Sequence, residues 1–493
     1  MVNSAEELVR AVRAQYDEGR AAKAALGLFE TVKQNENFFI GRQWEGVQSG
    51  GLPTPVFNFL KRVILFMVAS ITTENIKMQA SPLGFSAAGD PSAERAARVV
   101  SSAFESIFER GAVANLVREL LRNAAVDGDG CLYAYFDPEI ETGEAEKGAV
   151  CTELVDNTRV FFADTAERAV QKQKHIIIAS RRDAKELSEL AGEEIKPDGE
   201  AEDGKTELLL RFRREKGKIM ACETTREKLV RPEWDTGLTL YPLSWMSWDA
   251  VPGCCHGQAA VTGLIPNQIF VNKLFAMSMI SLMSNAYPKI VFDRTKIARW
   301  DNRVGAAIGV TGDTSGVATA VGAQSMSPQI SQFIALAVDY TQNFMGATDT
   351  ALGNVDPRNT SAIIAVQKAS NIPLEMVKQN LYQCLEEMGR VYIDIMRAYY
   401  GERLCPDGRG GAELFDFSSL SEAPMKLRLD VGSCSYWSEV ASVQTLDNLL
   451  KAGHITLSEY LERLPDGFVT GREELIAARR AAEAQAQGGV SNE

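Results

Sequence analysis

The apolar residues of the C-terminal half form two long segments that predict helices. Residues 262–286 read TGLIPNQIFVNKLFAMSMISLMSNA, and residues 359–400 read NTSAIIAVQKASNIPLEMVKQNLYQCLEEMGRVYIDIMRAYY. In the second segment, apolar residues recur every three or four positions from Leu374 to Tyr399, which is the spacing of one helix face. Both predicted helices have apolar faces too broad for one small core. Such helices must be buried in a large protein or against other copies of the same chain.

Proline residues set the predicted form of these helices. Pro266 suits the first turn of a helix, because proline has no N–H to lose there, and this helix is predicted to run to about Ala286. A continuous helix over 361–400 would be about 60 Å long, at 1.5 Å per residue. Pro373 is predicted to kink it.

The rest of the chain mixes helical and strand periodicities. Helices are predicted at 4–36, 56–75, 90–127 (one or two), 328 to about 346, 438–452, 457–464 and from 470 onward. Alternating apolar residues predict strands at 131–136, 150–155, 175–181, 206–212, 218–224, 289–293, 306–310, 317–321 and 425–432. The sequence therefore predicts an α+β fold, with a mixed body that runs to about residue 260.

The composition is that of an ordinary globular protein with an acidic balance. The 493 residues are 45% hydrophobic and 24% charged, and the net charge is −13. A protein that grips DNA usually presents a basic face, so this charge argues against a phosphate-neutralising protein. DNA as a passenger is not excluded, because a negatively charged wall repels phosphates and leaves a duplex free to slide.

Neither a membrane span nor disulfides are expected. The start MVNSAEELVRAVRAQ predicts an amphipathic helix and not a signal peptide. The uncharged run 314–338 is polar, and the apolar run 274–288 is shorter than the roughly 20 residues that a span needs. The eight cysteines include no CxxC pair, and we expect reduced thiols.

One segment matches the P-loop pattern of nucleotide-binding proteins letter for letter. It runs from Gly199 to Thr206 as GEAEDGKT. A working P-loop follows an apolar strand and opens a helix, whereas the residues after this segment, ELLLRF, predict a strand. Three acidic residues would also occupy the place of the phosphates. We therefore interpret the segment as an acidic surface loop.

The candidate metal and catalytic residues are equally weak. Cys254, Cys255 and His256 are adjacent, but zinc requires four ligands in spaced pairs, so a turn with buried thiols is the better interpretation. The other two histidines, His175 and His454, have no obvious nucleophile beside them. No catalytic, cofactor-binding or metal-binding residues are predicted, and an enzyme is not expected.

A polar loop at 346–360, GATDTALGNVDPRNT, separates two apolar helices. Connections between packed helices usually have about 2–8 residues, so a loop of this length suggests a function. A plain surface turn remains the alternative.

In order and extent, seven stretches of this chain resemble the portal proteins of tailed bacteriophages, of the siphophage or prophage type. They are FFIGRQWEG (38–46), LPTPVFNFLKRVI (52–64), LYPLSWMSWDAVPG (240–253), TGLIPNQIFVNKLFAMSM (262–279), YPKIVFDRTKI (287–297), NTSAIIAVQKASNIPLEMVKQNL (359–381) and TLDNLLKAGHITLSEYLERLP (445–465). Portal proteins form ring-shaped head–tail connectors through which DNA passes.

The resemblance implies a portal-like subunit built from named parts. They are a mixed α/β wing (1–260), a first stem helix (261–286), a small β-containing clip (287–327), a second stem helix (328–345), a channel loop (346–360), a long kinked wing helix (361–402), a wing–crown connection with a strand (403–435), and an α-helical crown with its tail (436–493).

The resemblance also implies a function and partners. The subunits, about twelve in the family, would form a channel at one capsid vertex for packaging and ejecting double-stranded DNA. The clip would dock the terminase large subunit and the head-completion adaptor, and the ring would contact major capsid and scaffold proteins after assembly in the host cytoplasm. Candidate channel-loop residues are Asp349, Thr350, Asn354, Asp356 and Arg358, and candidate stem or clip residues are Lys273, Lys289, Arg294 and Lys296.

Two other classes of protein stay open from the sequence. One is another virion structural protein, such as a capsid or adaptor subunit. The other is a soluble enzyme, which would need an ordered pocket with convergent titrating groups. For each basic candidate residue, a solvated surface position is the alternative interpretation.

Overall fold

A computed structural model describes residues 2–72, 76–83, 90–143, 146–198, 204–286, 289–301, 308–321, 329–344, 372–406, 412–422, 425–431, 436–464 and 475. The helices are α1 Val2–Ala25, α2 Leu28–Ile40, α3 Phe59–Ile71, α4 Pro91–Arg110, α5 Val113–Asp127, α6 Ala184–Ala191, α7 Ala260–Ala286, α8 Gln329–Phe344, α9 Glu375–Tyr399, α10 Tyr436–Lys451 and α11 Leu457–Arg463.

The strands are β1 Ile76–Pro82, β2 Asp129–Asp137, β3 Ala149–Val155, β4 Val160–Phe162, β5 His175–Asp183, β6 Lys205–Glu215, β7 Lys218–Thr224, β8 Leu229–Asp235, β9 Leu243–Ser247, β10 Lys289–Phe292, β11 Ala318–Val321, β12 Glu402–Pro406, β13 Ala412–Asp416 and β14 Met425–Val431. The predicted α+β class is confirmed. So are the five alternating segments between residues 131 and 224, which form β2, β3, β5, β6 and β7.

Two antiparallel sheets and a helical layer form the body. One sheet has the strand order β4-β5-β6-β7-β8 and the other the order β3-β2-β9. The main core joins α3, α5, β2 and α9 in one cluster that includes Leu60, Leu120, Leu132 and Ile395, all fully buried. The apolar seam predicted on α9 therefore faces the body over the part of the helix that is described.

A third pairing joins distant parts of the chain. Strands β1 and β14 pair antiparallel from Ile76 opposite Val431 to Pro82 opposite Met425. They pack on α9 at Gly389, where an added Cβ would lie 2.4 Å from Met78 Sδ. Glycine at this position lets the two-stranded ribbon approach the helix closely.

Several predicted boundaries are wrong. The predicted helix 4–36 is two helices, because Gly27 adopts a left-handed conformation with φ of 66° between α1 and α2. Helix α7 begins at Ala260, so Pro266 lies inside it and not in its first turn. Residues 308–310, at the end of the predicted strand 306–310, are not in a strand.

The remaining C-terminal predictions agree with the structure where it describes them. Residues 425–432 contain β14, and α10 and α11 fall on the two predicted helices. A capping box of Thr456 and Glu459 opens α11. A short 3₁₀ turn at Ile372–Leu374 precedes α9 and contains Pro373, the position of the predicted kink. The earlier part of that predicted helix and nearly all of the final one lie outside the described residues.

Helix α1 is held on the five-stranded sheet by apolar side chains and one buried amine. Val12 and Tyr16 pack against residues of β4 to β7. The amine of Lys23 is 1% exposed, donates to the carbonyl of Asn157 and lies over the ring of Phe161. Burial lowers the pKa of Lys23 to about 7, because the charged form has lost its hydration.

This buried amine should make stability depend on pH. Between pH 7 and about 10.5 the unfolded chain binds a proton that the folded chain does not, so the free energy of unfolding rises with pH, by up to about 5 kcal/mol over the window. Below pH 7 the full cost of burying the charge is present. In Lys23→Met this rise should be absent. Urea unfolding at pH 7 and pH 9.5 measures it, with the exposed Lys185→Met as control. Equal pH dependence in wild type and Lys23→Met would contradict the assignment.

Candidate assembly and channel site

The long helix α7 leaves the body at a buried carboxylate. Asp129, at the start of β2, accepts hydrogen bonds from Ser247 Oγ (2.7 Å), Gly257 N (2.8 Å) and His256 Nδ1 (2.9 Å). The chain that leads into α7 therefore converges on one side chain, which is fully buried. Gly128 has φ of 100°, and a Cβ there would lie 2.6 Å from the carbonyl oxygen of Gly257. This close approach of two backbones requires glycine.

A second anchor lies farther along α7. Three buried amide side chains, Gln43, Gln268 and Asn272, form what we call the amide network. Asn272 Nδ2 donates to Gln43 Oε1 (2.6 Å), and Gln268 Nε2 donates to Asn272 Oδ1 (3.0 Å) and to the carbonyl of Phe57 (2.7 Å). Gln268 Oε1 accepts from Leu60 N at 3.2 Å. The network thus binds α7 to the backbone between α2 and α3.

An open cleft of about 550 Å³ lies beside this anchor, between α2, the turn that follows it and α7. Gln43 and Asn272 line it together with Trp44 and Lys273. The indole of Trp44 donates to the carbonyl of Pro55 at 2.9 Å, which holds the following turn in place.

Beyond the amide network, α7 extends away from the body with apolar side chains exposed. Met277 is 61% exposed and Leu282 is 60% exposed, and Met279 and Met283 are exposed as well. Helix α8 presents Phe333, Leu336 and Tyr340 in the same way. A single subunit therefore leaves broad apolar helix faces in contact with water, as the sequence predicted.

The two helices form an antiparallel hairpin. Asn267, near the start of α7, donates to Thr341 near the end of α8 (3.0 Å). The chain between them contains β10 and β11, which pair antiparallel from Lys289 opposite Val321 to Phe292 opposite Ala318. The predicted order of helix, β-containing excursion and returning helix is therefore present in the described residues.

The four basic candidate residues do not form one cluster. Lys273 is exposed on α7 beside the cleft, and roughly 20 Å of helix separates it from the end of α7. Lys289 begins β10, and Arg294 and Lys296 lie in the turn after it, Arg294 exposed and Lys296 half-buried. The channel-loop candidates Asp349, Thr350, Asn354, Asp356 and Arg358 lie outside the described residues.

The P-loop pattern has no phosphate-binding geometry in the part that is described. Lys205 and Thr206 open strand β6, and no helix follows them there. Thr206 is buried, and Lys205 O accepts from the backbone of Asp198. Its residues 199–203 lie outside the described part. The predicted strand after the pattern is confirmed.

The Cys-Cys-His segment is structural. His256 bonds to Asp129, and Cys255 is buried with its carbonyl accepting from Trp245 Nε1 (3.0 Å). Burial raises the pKa of the Cys255 thiol to about 12, so the thiolate that a metal requires is disfavoured at neutral pH. Cys254 is half-buried, so the predicted burial of both thiols holds fully only for Cys255.

The described residues contain no metal-ligand cluster, no disulfide and no candidate membrane span. Among these residues, no group of three or more His, Cys, Asp or Glu side chains is placed to hold a metal ion. The seven cysteines that can be described are free thiols. No helix in the described ranges is long and apolar enough to cross a membrane.

Sequence reasoning missed both anchors of α7. The amide network had a signal: Gln268 and Asn272 are four residues apart on a mostly apolar helix, so they share one face. The Asp129 anchor had no comparable signal, because its partners, Ser247 and the adjacent His256 and Gly257, come from two other segments that are far from Asp129 in the sequence.

The fold and this hairpin define an assembly subunit: an α+β body from which two helices project exposed apolar faces. The model of the phage P22-like portal protein family matches residues 255–403, which include α7, the β10–β11 pair, α8 and α9. The match confirms the resemblance to phage portal proteins and supports the identification of the chain as a phage portal protein. A search of curated proteins found no match. The finer siphophage or prophage type stays a prediction.

Proposed function

We propose that this chain is a portal subunit that assembles into a ring-shaped channel at one capsid vertex. The family match supports a phage portal function and, with it, an oligomeric assembly at the capsid vertex. The ring would conduct double-stranded DNA during packaging and ejection. It would be a passive conduit and docking surface, in keeping with the structural role of the portal family.

The observation that carries this proposal is the exposed apolar surface of the α7–α8 hairpin. Large apolar patches that remain exposed on a single subunit mark interaction surfaces. Covering a side chain such as Leu282 or Phe333 is worth about 1.5–3 kcal/mol. A neighbouring copy that presents the same two helices would cover these faces, and repetition of that contact around an axis gives a closed ring.

The parts of the chain would then have distinct roles. Residues 1–260 and 361–402 would be the wing, α7 and α8 the stem, 287–327 the clip and 436–493 the crown. The clip would dock the terminase large subunit and the head-completion adaptor, with Lys289, Arg294 and Lys296 as charged contacts. Lys273, on the stem, would be a further charged contact. Major capsid and scaffold proteins would surround the wing.

The net charge supports a channel through which DNA slides and not a surface that grips DNA. With −13 per subunit, twelve subunits would carry about −156 before counterions. A channel wall that carries a share of this negative charge would repel phosphates. The proposed channel loop, 346–360, would narrow the channel and place Asp349, Thr350, Asn354, Asp356 and Arg358 near the duplex.

Native mass spectrometry and electron-microscope class averages of the purified chain test the proposal. We expect a ring of about twelve copies with a hole roughly 20 Å wide, enough for a DNA duplex. Another virion protein, such as a capsid or adaptor subunit, would give a different stoichiometry or no central hole. A closed dimer with a deep pocket would contradict the portal function.

A further inference from the structure

The hydrogen bonds of the amide network join α7 to the segment between α2 and α3 and to the first turn of α3. Gln268 meets the carbonyl of Phe57 and the N–H of Leu60, and Asn272 meets Gln43. Gln43 in turn donates to the carbonyl of Phe38 at the end of α2 (3.1 Å). Three groups on the body therefore bond directly to α7 within 3.2 Å: the carbonyl of Phe57, the N–H of Leu60 and Oε1 of Gln43. A fourth, the carbonyl of Phe38, bonds to Gln43.

The amide network is surrounded by apolar contacts between α7 and the body, and these contacts alone would allow the helix to take other positions. Gln268 is fully buried, Asn272 nearly so, and apolar α7 residues such as Val261, Leu264 and Ile265 pack on the same body. Apolar contacts are non-directional and tolerate small shifts. Hydrogen bonds between buried amides do not, because a shift of one residue moves a helix by about 1.5 Å and turns it by about 100°.

We propose that the amide network fixes the axial position and rotation of α7 on the body and thereby sets the number of subunits in the ring. This inference rests on the proposed function. A single buried asparagine has the same effect in coiled coils, where it specifies register and the number of strands.

To set the number of subunits, α7 must be placed on the body with a precision on the scale of one hydrogen bond. Neighbours in a twelve-membered ring are related by 30°, and one subunit more or fewer changes this angle by about 2.5°. From Asn272 to the end of α7 at Ala286 is roughly 20 Å. A tilt of 2.5° about the anchor moves the end of the helix by about 1 Å, which is less than the length of one hydrogen bond, so a slight loosening of the amide network is enough to change the angle between neighbouring subunits.

The double variant Gln43→Leu/Asn272→Leu removes one amide pair from the network, together with the bonds that Gln268 Nε2 (3.0 Å) and Phe57 N (3.4 Å) donate to Asn272 Oδ1. Phe57 is 48% exposed, so water can replace the acceptor that its N–H loses. The carbonyl of Phe38 keeps a bond from Asn58 Nδ2 (3.3 Å), and Gln268 keeps the carbonyl of Phe57. The cleft beside both residues provides room for the new side chains. In native mass spectra, the share of rings with a different subunit number should rise at least about fivefold over wild type.

Two further variants control this result. The exchange Gln43→Asn/Asn272→Gln keeps an amide at each position and should restore the wild-type distribution. It also keeps the test valid if the leucine variant fails to fold. Ser278→Ala, which loses only a bond to Leu274 on its own helix, should change nothing. Wild-type ring distributions in the leucine variant, or altered ones in the exchange variant, would overturn the proposal.

A measurement on single subunits separates this proposal from the ring itself. Nitroxides attached through an engineered keto amino acid at Glu119 and Ser284, both exposed, report the distance between the body and the end of α7. The distribution should be at least about twice as wide in the leucine variant. If the wild type forms no ring and this widening is seen, the portal proposal fails and the positioning role stands. Equal widths would refute the positioning role in either case.

Discussion

Asp129→Ala should lower the free energy of unfolding by about 3–5 kcal/mol. The substitution removes the acceptor of three hydrogen bonds in a site with no access to solvent. Ser247 Oγ can still reach the carbonyl of Cys255 (3.3 Å), but the N–H groups of Gly257 and His256 Nδ1 would be left without an acceptor. A buried donor without a partner costs about 1–3 kcal/mol. Urea unfolding followed by circular dichroism measures the change.

A surface aspartate provides the control. Asp156 is exposed and pairs with Arg159 at 3.3 Å, so Asp156→Ala should change the free energy of unfolding by less than about 1 kcal/mol. If Asp129→Ala were equally mild, water or a rearranged backbone would have replaced the carboxylate. The description of Asp129 as the anchor of α7 would then be wrong.

The sequence predicted the parts of the fold that are governed by local periodicity. The five strands between residues 131 and 224 alternate clearly, and each is described where it was predicted. Strands β1 and β14 show why other parts escape such reasoning. The pairing of Met78 with Leu429 depends on a contact between positions about 350 residues apart, and β1 was not predicted at all.

Helix ends were predicted less well than helices, and the reason is physical. The helical pattern continues through Gly27, and an isolated glycine in a helix costs only about 1 kcal/mol, so the sequence predicts a continuous helix there. Pro266 predicts a helix start, but a proline within the first two turns leaves only one or two backbone bonds unmade, so the helix can begin earlier. Local sequence rules allow a helix either to continue through such a residue or to be interrupted there, and packing on the body decides which occurs.

The candidate site was predicted in outline and not in its contacts. The breadth of the apolar faces on α7 and α8 indicated an assembly, and both faces are exposed in the subunit. The anchors of α7 depend on which segments the fold brings together, such as Gln43 and Asn272, and periodicity carries no information about that. The channel-loop residues remain predictions.

Met277→Asp/Leu282→Asp should abolish ring assembly while leaving the subunit folded. Both side chains are exposed in the single subunit, so each change should cost the fold less than about 0.5 kcal/mol. In an assembled ring both would be buried, and losing that burial removes about 3–6 kcal/mol per interface, even before the cost of burying two carboxylates. The dissociation constant for neighbouring subunits should therefore rise by a factor of about 10²–10⁴.

Sedimentation velocity over a range of protein concentrations measures this shift. The matched control is Leu190→Asp, which introduces the same charge at a leucine that is 65% exposed on α6 of the body, away from the hairpin. It should assemble as the wild type does. If the double variant also forms rings at wild-type concentrations, the α7–α8 hairpin is not the subunit interface. The apolar faces would then have to be covered by another protein. Their exposure is a property of the folded subunit, and apolar faces of this extent need a partner whether that partner is another copy or a different protein.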